Sequence, residues 1–164
     1  MGVRGLGDGG EPDETIDEVV RSTGALLVGR RTQDVEDREQ PGFYGGAYRG
    51  PFFSLRHNPP ADPPVVKGVT GSFIDVEIQE AVRIAKQAAD GANVVILGAT
   101  VAKQALEADL VDEVLVHLTP VLLGDGVRLF SRPGSSPIRL ERTSVRETGQ
   151  LTALRFRVRK DGRR

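Results

Sequence analysis

The chain has no cysteine and no tryptophan, one methionine and only two histidines, His57 and His117. The absence of thiols excludes disulfides, thiolate zinc sites and cysteine nucleophiles together. Two histidines exclude a three-histidine metal centre. No charge sign dominates, because 22 Lys and Arg stand against 23 Asp and Glu, a formal net charge of −1. Binding to a phosphate backbone needs a clear basic excess, so a dedicated nucleic-acid binder is not expected. No apolar run approaches the roughly 18 residues of a membrane span. The glycine-rich start, Met1–Glu11, lacks an apolar signal core. The expectation is a cytoplasmic domain with neither nucleic acid nor membrane as partner. A chain of 164 residues fits one domain, and at this size it buries roughly 70% of its extended surface.

What is present reads as alternating strands and helices. Residues 1–15 hold five glycines and no apolar periodicity, and are expected to be a flexible lead-in to a single domain over residues 16–160. A helix is predicted from Pro12 to Ser22, with Ile16, Val19 and Val20 on one face and Gly24 at its C-terminal stop. Gly24–Arg30 reads as a buried strand and Pro51–Leu55 as a second. Between them, Thr32–Gly50 reads largely as loop, and Val65–Ile74 as a weaker extended stretch. Asp75 is the expected N-cap of a helix reaching Ala89, with Ile78, Ala81, Val82 and Ala85 inward. Asn93–Gly98 is the most hydrophobic strand and is predicted to be central, covered on both faces. Thr100 is expected to cap a second helix. Glu113–Leu123 reads as a strand broken at Pro120, and Ile138–Thr143 with Leu151–Val158 as an antiparallel pair. The predicted architecture is three-layer α/β with a mixed sheet.

Hydrolytic motifs are missing: there is no G-x-S-x-G elbow, no P-loop and no metal-ligand cluster. The remaining candidates are three strand ends. Gly98-Ala99-Thr100-Val101 follows a strand and opens a helix, where exposed amides can hold a pyrophosphate; taken alone, it reads first as an ordinary β–turn–α connection. Gly29-Arg30-Arg31-Thr32 places two arginines after a strand, facing phosphate or simply solvated. Arg56-His57 follows the Pro51–Leu55 strand, where Arg56 could fork onto a monophosphate or lie on the surface. Open α/β sheets bind ligands across the carboxyl ends of adjacent strands. One ligand spanning all three ends would carry a diphosphate and a further phosphate, the shape of NADPH.

The ordered block Leu110-Val111-Asp112-Glu113, Pro120-Val121-Leu122-Leu123-Gly124-Asp125-Gly126 and Leu129-Phe130 carries a resemblance. With Val28–Thr32 and Ser54–His57 upstream, it resembles the C-terminal reductase domain of the bacterial bifunctional riboflavin deaminase-reductase. It is still more similar to stand-alone members of the dihydrofolate-reductase-like superfamily. That resemblance covers about Gly24 to Val158. It implies a dihydrofolate-reductase-like fold that binds NADPH and passes hydride to a heterocyclic or imine-like small molecule, as a homodimer. Carried onto this chain, it implies that Gly29, Arg30, Arg31 and Thr32 line the cofactor phosphates. Arg56 and His57 would approach the 2′-phosphate. Gly98, Ala99, Thr100 and Val101 would sit under the pyrophosphate and the nicotinamide, and Gly124–Gly126 would turn near a dimer contact.

Two departures accompany it. The family's usual first strand, central in the sheet, has no counterpart in Met1–Glu11, so either the natural start is missing or another segment fills that place. Ala99 also stands where the family often has a second glycine. No deaminase module is expected, since its zinc signature needs cysteines. Reduction of a C=N bond also needs a proton donor. Asp17 and Glu18 on the first helix are candidates, although a solvated face favoured by the helix dipole is the expected reading of both. His117 is expected to be a packed or interface residue. The alternative function is a non-catalytic nucleotide-binding or assembly protein that keeps the fold.

Overall fold

A computed structural model describes residues 14–38, 42–131, 134 and 136–160, so most of the expected lead-in lies outside the described residues. Helix α1 (Glu14–Ser22) lies within the helix expected from Pro12 to Ser22. Contacts divide the chain into two compact units, one spanning Glu18–Leu110 and one built mainly from Val111 onward.

In the first unit, strand β1 (Thr23–Gly29) is followed by helix α2 (Arg30–Arg38) and strand β2 (Phe52–Leu55). A small ladder, β3 (Val65–Val66) with β4 (Val69–Thr70), precedes β5 (Ser72–Ile74), helix α3 (Ile78–Ala88), β6 (Asn93–Leu97) and helix α4 (Ala99–Glu107). The four longer-range strands form one parallel sheet in the order β5-β2-β1-β6. Ala25, Leu26, Leu27 and Val28 are all fully buried, as a strand covered on both faces requires. Leu26 and Val28 join Phe43, Tyr48, Phe52 and Val66 in the core cluster, where Phe43 meets Phe52 edge-on at 5.1 Å. Ala25 and Leu27 alternate to the opposite face, which α3 and α4 cover.

In the second unit, β7 (Glu113–Leu118), β8 (Leu140–Thr148) and β9 (Leu151–Val158) form an antiparallel sheet ordered β7-β9-β8. The predicted hairpin is present, with β8 longer than expected and its register shifted between Arg142 and Ser144. Strand β7 stops at Leu118, ahead of Pro120.

Several expectations need correction. Residues 30–38, read mostly as loop, form α2; its sequence RRTQDVEDR buries no residue, so it carries no apolar stripe to reveal it. Gly24 does not cap α1 but lies within β1, where a Cβ would stand 2.4 Å from the Ala89 carbonyl oxygen. The glycine is required by this close approach to α3. Neither Asp75 nor Thr100 caps a helix: α3 has Glu77 and α4 has Gly98 at that position, both without a side-chain bond. Finally, β6 is not central. Among the described residues it pairs with β1 alone, and Val94–Leu97 are half-buried.

Candidate functional site

The parallel register aligns the strand ends. Gly29 of β1 stands opposite Leu55 of β2, and Val28 stands opposite Leu97 of β6. The next residues along, Arg56-His57, Arg30–Thr32 and Gly98–Val101, therefore emerge in a row at one edge. Helix α2 leaves β1 on the side of β3, whereas α4 leaves β6 to pack with α3. Adjacent strands whose helices depart to opposite faces create the crevice where α/β sheets take ligands.

At its centre two turns interlock. Gly98 has φ 105°, a conformation L side chains rarely adopt, and a Cβ there would lie 2.5 Å from Thr32 Oγ1 and 3.8 Å from the Gly29 nitrogen. A Cβ on Gly29 would in turn press on Val101 at 3.3 Å. Glycine at both positions lets the starts of α2 and α4 approach closely. Arg30, Arg31 and Thr100 are exposed there, Ala99 is half-buried, and Val101 is buried as a packing residue under the turn.

The β2 end is built differently. The Arg56 amide donates to the Ile74 carbonyl at 3.1 Å and extends the β2–β5 ladder by one bond. Its guanidinium lies 5.2 Å from the centroid of the Phe73 ring. Arg56 Nε is buried with no hydrogen-bond partner among the described residues, which is costly unless an anion engages the group. His57 Nδ1 and Asp75 Oδ1 are 2.9 Å apart, and the Asn58 amide donates to Asp75 Oδ2 at 3.1 Å. Those two bonds hold the Asp75 carboxyl below its usual range, the backbone bond most of all.

A second group of titratable side chains went unnoticed in the sequence. Glu36 lies one turn beyond Thr32 on α2, on the same side of the helix. Burial raises its carboxyl above the usual range. Burial also pushes the Tyr44 hydroxyl up to about 12, with the Glu36 charge adding to the effect. Tyr48 rises to about 12 through burial and then through Tyr44, and its hydroxyl donates to the Pro51 carbonyl at 2.9 Å. Tyr44 sits at φ 53° within a short 3-10 turn, Phe43–Gly46. No sequence signal marks Glu36, because its shift arises from tertiary burial.

Of the expected acids on α1, Asp17 is exposed and Glu18 half-buried. His117 is at an exposed position of β7 opposite Ala153. Among the described residues no three His, Cys, Asp or Glu side chains are placed to hold a metal. No helix among them is long and apolar enough to cross a membrane.

Comparison with known proteins gives this geometry a lineage. No curated protein matches the chain. Among solved structures, it is similar to a Shewanella sp. PV-4 protein assigned provisionally to riboflavin biosynthesis, with TM-score 0.72 and 24% identity over 94% of this chain and 84% of that one. It is also similar to the Thermotoga maritima diaminohydroxyphosphoribosylaminopyrimidine deaminase/5-amino-6-(5-phosphoribosylamino)uracil reductase, at TM-score 0.62 and 14% identity. That match covers 89% of this chain but 48% of the other, so the chain spans about half of the bifunctional enzyme. A pyrimidine reductase-like protein from Corynebacterium diphtheriae matches at TM-score 0.58 and 16% identity over 95% and 84%. These likenesses establish the α/β, dihydrofolate-reductase-like fold. The sequence model of the RibD C-terminal domain matches residues 49–154, more than half of the chain. The protein belongs to the RibD C-terminal domain family.

Proposed function

We propose that this protein is an NADPH-dependent reductase that transfers hydride to a small heterocyclic or imine-like substrate, pyrimidine-like in view of its relatives' names. The observation that carries the reading is the convergence of three strand ends on one edge, with Gly98 and Thr32 in a contact that any side chain at Gly98 would break. The starts of α2 and α4 are the diphosphate site in this reading, and Arg56 Nε, buried without a partner among the described residues, is the site of a further anion at the β2 end.

The bound cofactor would supply the hydride. The chain's own residues bind, orient and protonate. Backbone amides at the starts of α2 and α4 hold the diphosphate, with Arg30 and Arg31 adding charge. Arg56, braced on Phe73, takes the 2′-phosphate together with His57. Glu36 is the group proposed to deliver the proton to the substrate nitrogen, because burial favours its protonated form. Exposed Leu118, Leu122, Leu123, Val127 and Leu129 support a homodimer.

A thermal-shift titration with NADPH, NADH and NADP⁺ tests the cofactor. At about 100 times its dissociation constant, NADPH should stabilise the fold by roughly 2.7 kcal/mol, a rise in Tm on the order of 5–10 °C. NADH should do much less. Arg56→Ala should remove roughly 1.5–3 kcal/mol of NADPH binding and leave NADH nearly unchanged; equal losses would take Arg56 out of the 2′-phosphate role. The second reading, a nucleotide-binding or assembly protein without catalysis, is favoured by the one-sided pairing of β6 among the described residues. NADPH binding without turnover of any pterin, pyrimidine or imine would support it.

A further inference from the structure

We propose that Asp75 is a positioning residue that makes His57 a proton-gated donor to the cofactor's 2′-phosphate, so that the preference for NADPH over NADH rises as pH falls. The inference rests on the reading of this edge as an NADPH site. It starts from two bonds made by one carboxylate: Oδ1 lies 2.9 Å from His57 Nδ1, and Oδ2 accepts from the Asn58 amide at 3.1 Å. The pair is held by the sheet itself, since Arg56 N–H to Ile74 C=O is the last rung before both residues. Asn58 closes the clamp from the left-handed region, at φ 50°.

An ionised carboxylate can only accept, so the proton of the His57–Asp75 bond belongs to Nδ1. Asp75 is held in that ionised form by its two bonds. Neutral His57 therefore carries a bare lone pair on Nε2, the nitrogen turned away from Asp75. A lone pair facing a phosphate oxygen repels it. Only the imidazolium offers Nε2–H to an anion. The charged group bonded to the ring is Asp75, just past the end of β5, and the His57 side chain is 90% exposed. Arg56 supplies the part of phosphate recognition that does not depend on His57. His57 supplies the part that varies with pH.

Dissociation constants for NADPH and NADH are measured from pH 5.5 to 8.5 on the wild type, His57→Gln and Asp75→Asn. The 2′-phosphate titrates too, near pH 6, and comparison among the three proteins cancels that contribution. In the wild type, the NADPH-to-NADH affinity ratio should exceed that of His57→Gln by about three- to tenfold at the acid end and converge with it at pH 8.5. In Asp75→Asn the amide can donate to Nδ1 and place the neutral ring's proton on Nε2. Its ratio should then rise severalfold above wild type at pH 8.5 and lose most of its pH dependence. Both side chains are exposed enough for the variants to fold, and equal Tm values will confirm it. Ratios that change with pH identically in all three proteins overturn the inference while leaving the NADPH site intact. Failure of the wild type to bind NADPH at any pH overturns the site reading, and this inference with it.

Discussion

Strands β1 and β8 are near-opposites within one chain. Every residue from Ala25 to Val28 is shielded from solvent, whereas most of Leu140–Thr148 is exposed, Val145 among them. The difference follows from sheet type. A parallel sheet is covered on both faces, so β1 is apolar without alternation. An antiparallel sheet can leave one face open, and β8 is mostly polar, with Glu141, Arg142, Arg146 and Glu147 among its nine residues. The same contrast extends to the glycines. The parallel strands end in a tight edge where glycines are obligatory, and the antiparallel unit carries exposed leucines and valines with open space around Gly124 and Gly126.

Substitutions can break that contrast, and the largest effect belongs to the buried side. Leu26→Ala should cost about 2–5 kcal/mol in chemical denaturation. Leu122→Asp should leave the folded monomer's stability within about 0.5 kcal/mol, yet dissociate a homodimer in sedimentation velocity. Leu122 is fully exposed in this chain, so an unchanged sedimentation profile would remove this surface from the dimer contact. Next come the glycines. Gly98→Ala should lose about 1–3 kcal/mol through its φ of 105° and abolish the NADPH thermal shift. Gly126→Ala, with no atom within 4 Å of the added Cβ, should change neither.

The smallest effect on stability sharpens the comparison most, because it separates folding from function. Glu36 has its carboxyl raised in the folded state. Its contribution is present below the unfolded value and is lost as pH rises through the folded one. At pH 7 the charged form is therefore a liability, and Glu36→Gln should raise Tm by about 1–3 °C. The same change should lower turnover by at least about 100-fold if Glu36 is the proton donor. A stabler variant with wild-type turnover would leave Glu36 as a buried structural acid.

What could be read in the residues followed the apolar runs. Leu26-Leu27-Val28 and Val94-Val95-Ile96-Leu97 announce strands, and the glycines and helix starts behind them announce the edge where they end. Helix α2 was hidden because Val35 is its one apolar residue, and Val35 is itself exposed. Local pairs such as Arg38 with Asp34, 3.9 Å apart, sit where i,i+4 spacing puts them but do not signal a core-facing helix. Asp75 looked like a cap because aspartate before an apolar stripe usually is one; its bonds run instead to residues 17 and 18 positions away. Sequence separation also explains why β6 read as central. Hydrophobicity reports that a strand wants cover, not which neighbours supply it.

That strand has a consequence for handling the protein. Val94–Leu97 carry no charge or proline, and among the described residues they pair on one edge only, with β1. An open edge is a template for strands from other molecules. Refolding at high concentration should then be a contest between first-order closure of the sheet and second-order association through β6. The yield of monomer should fall steeply with protein concentration, and a lysine at Val94 should flatten that fall.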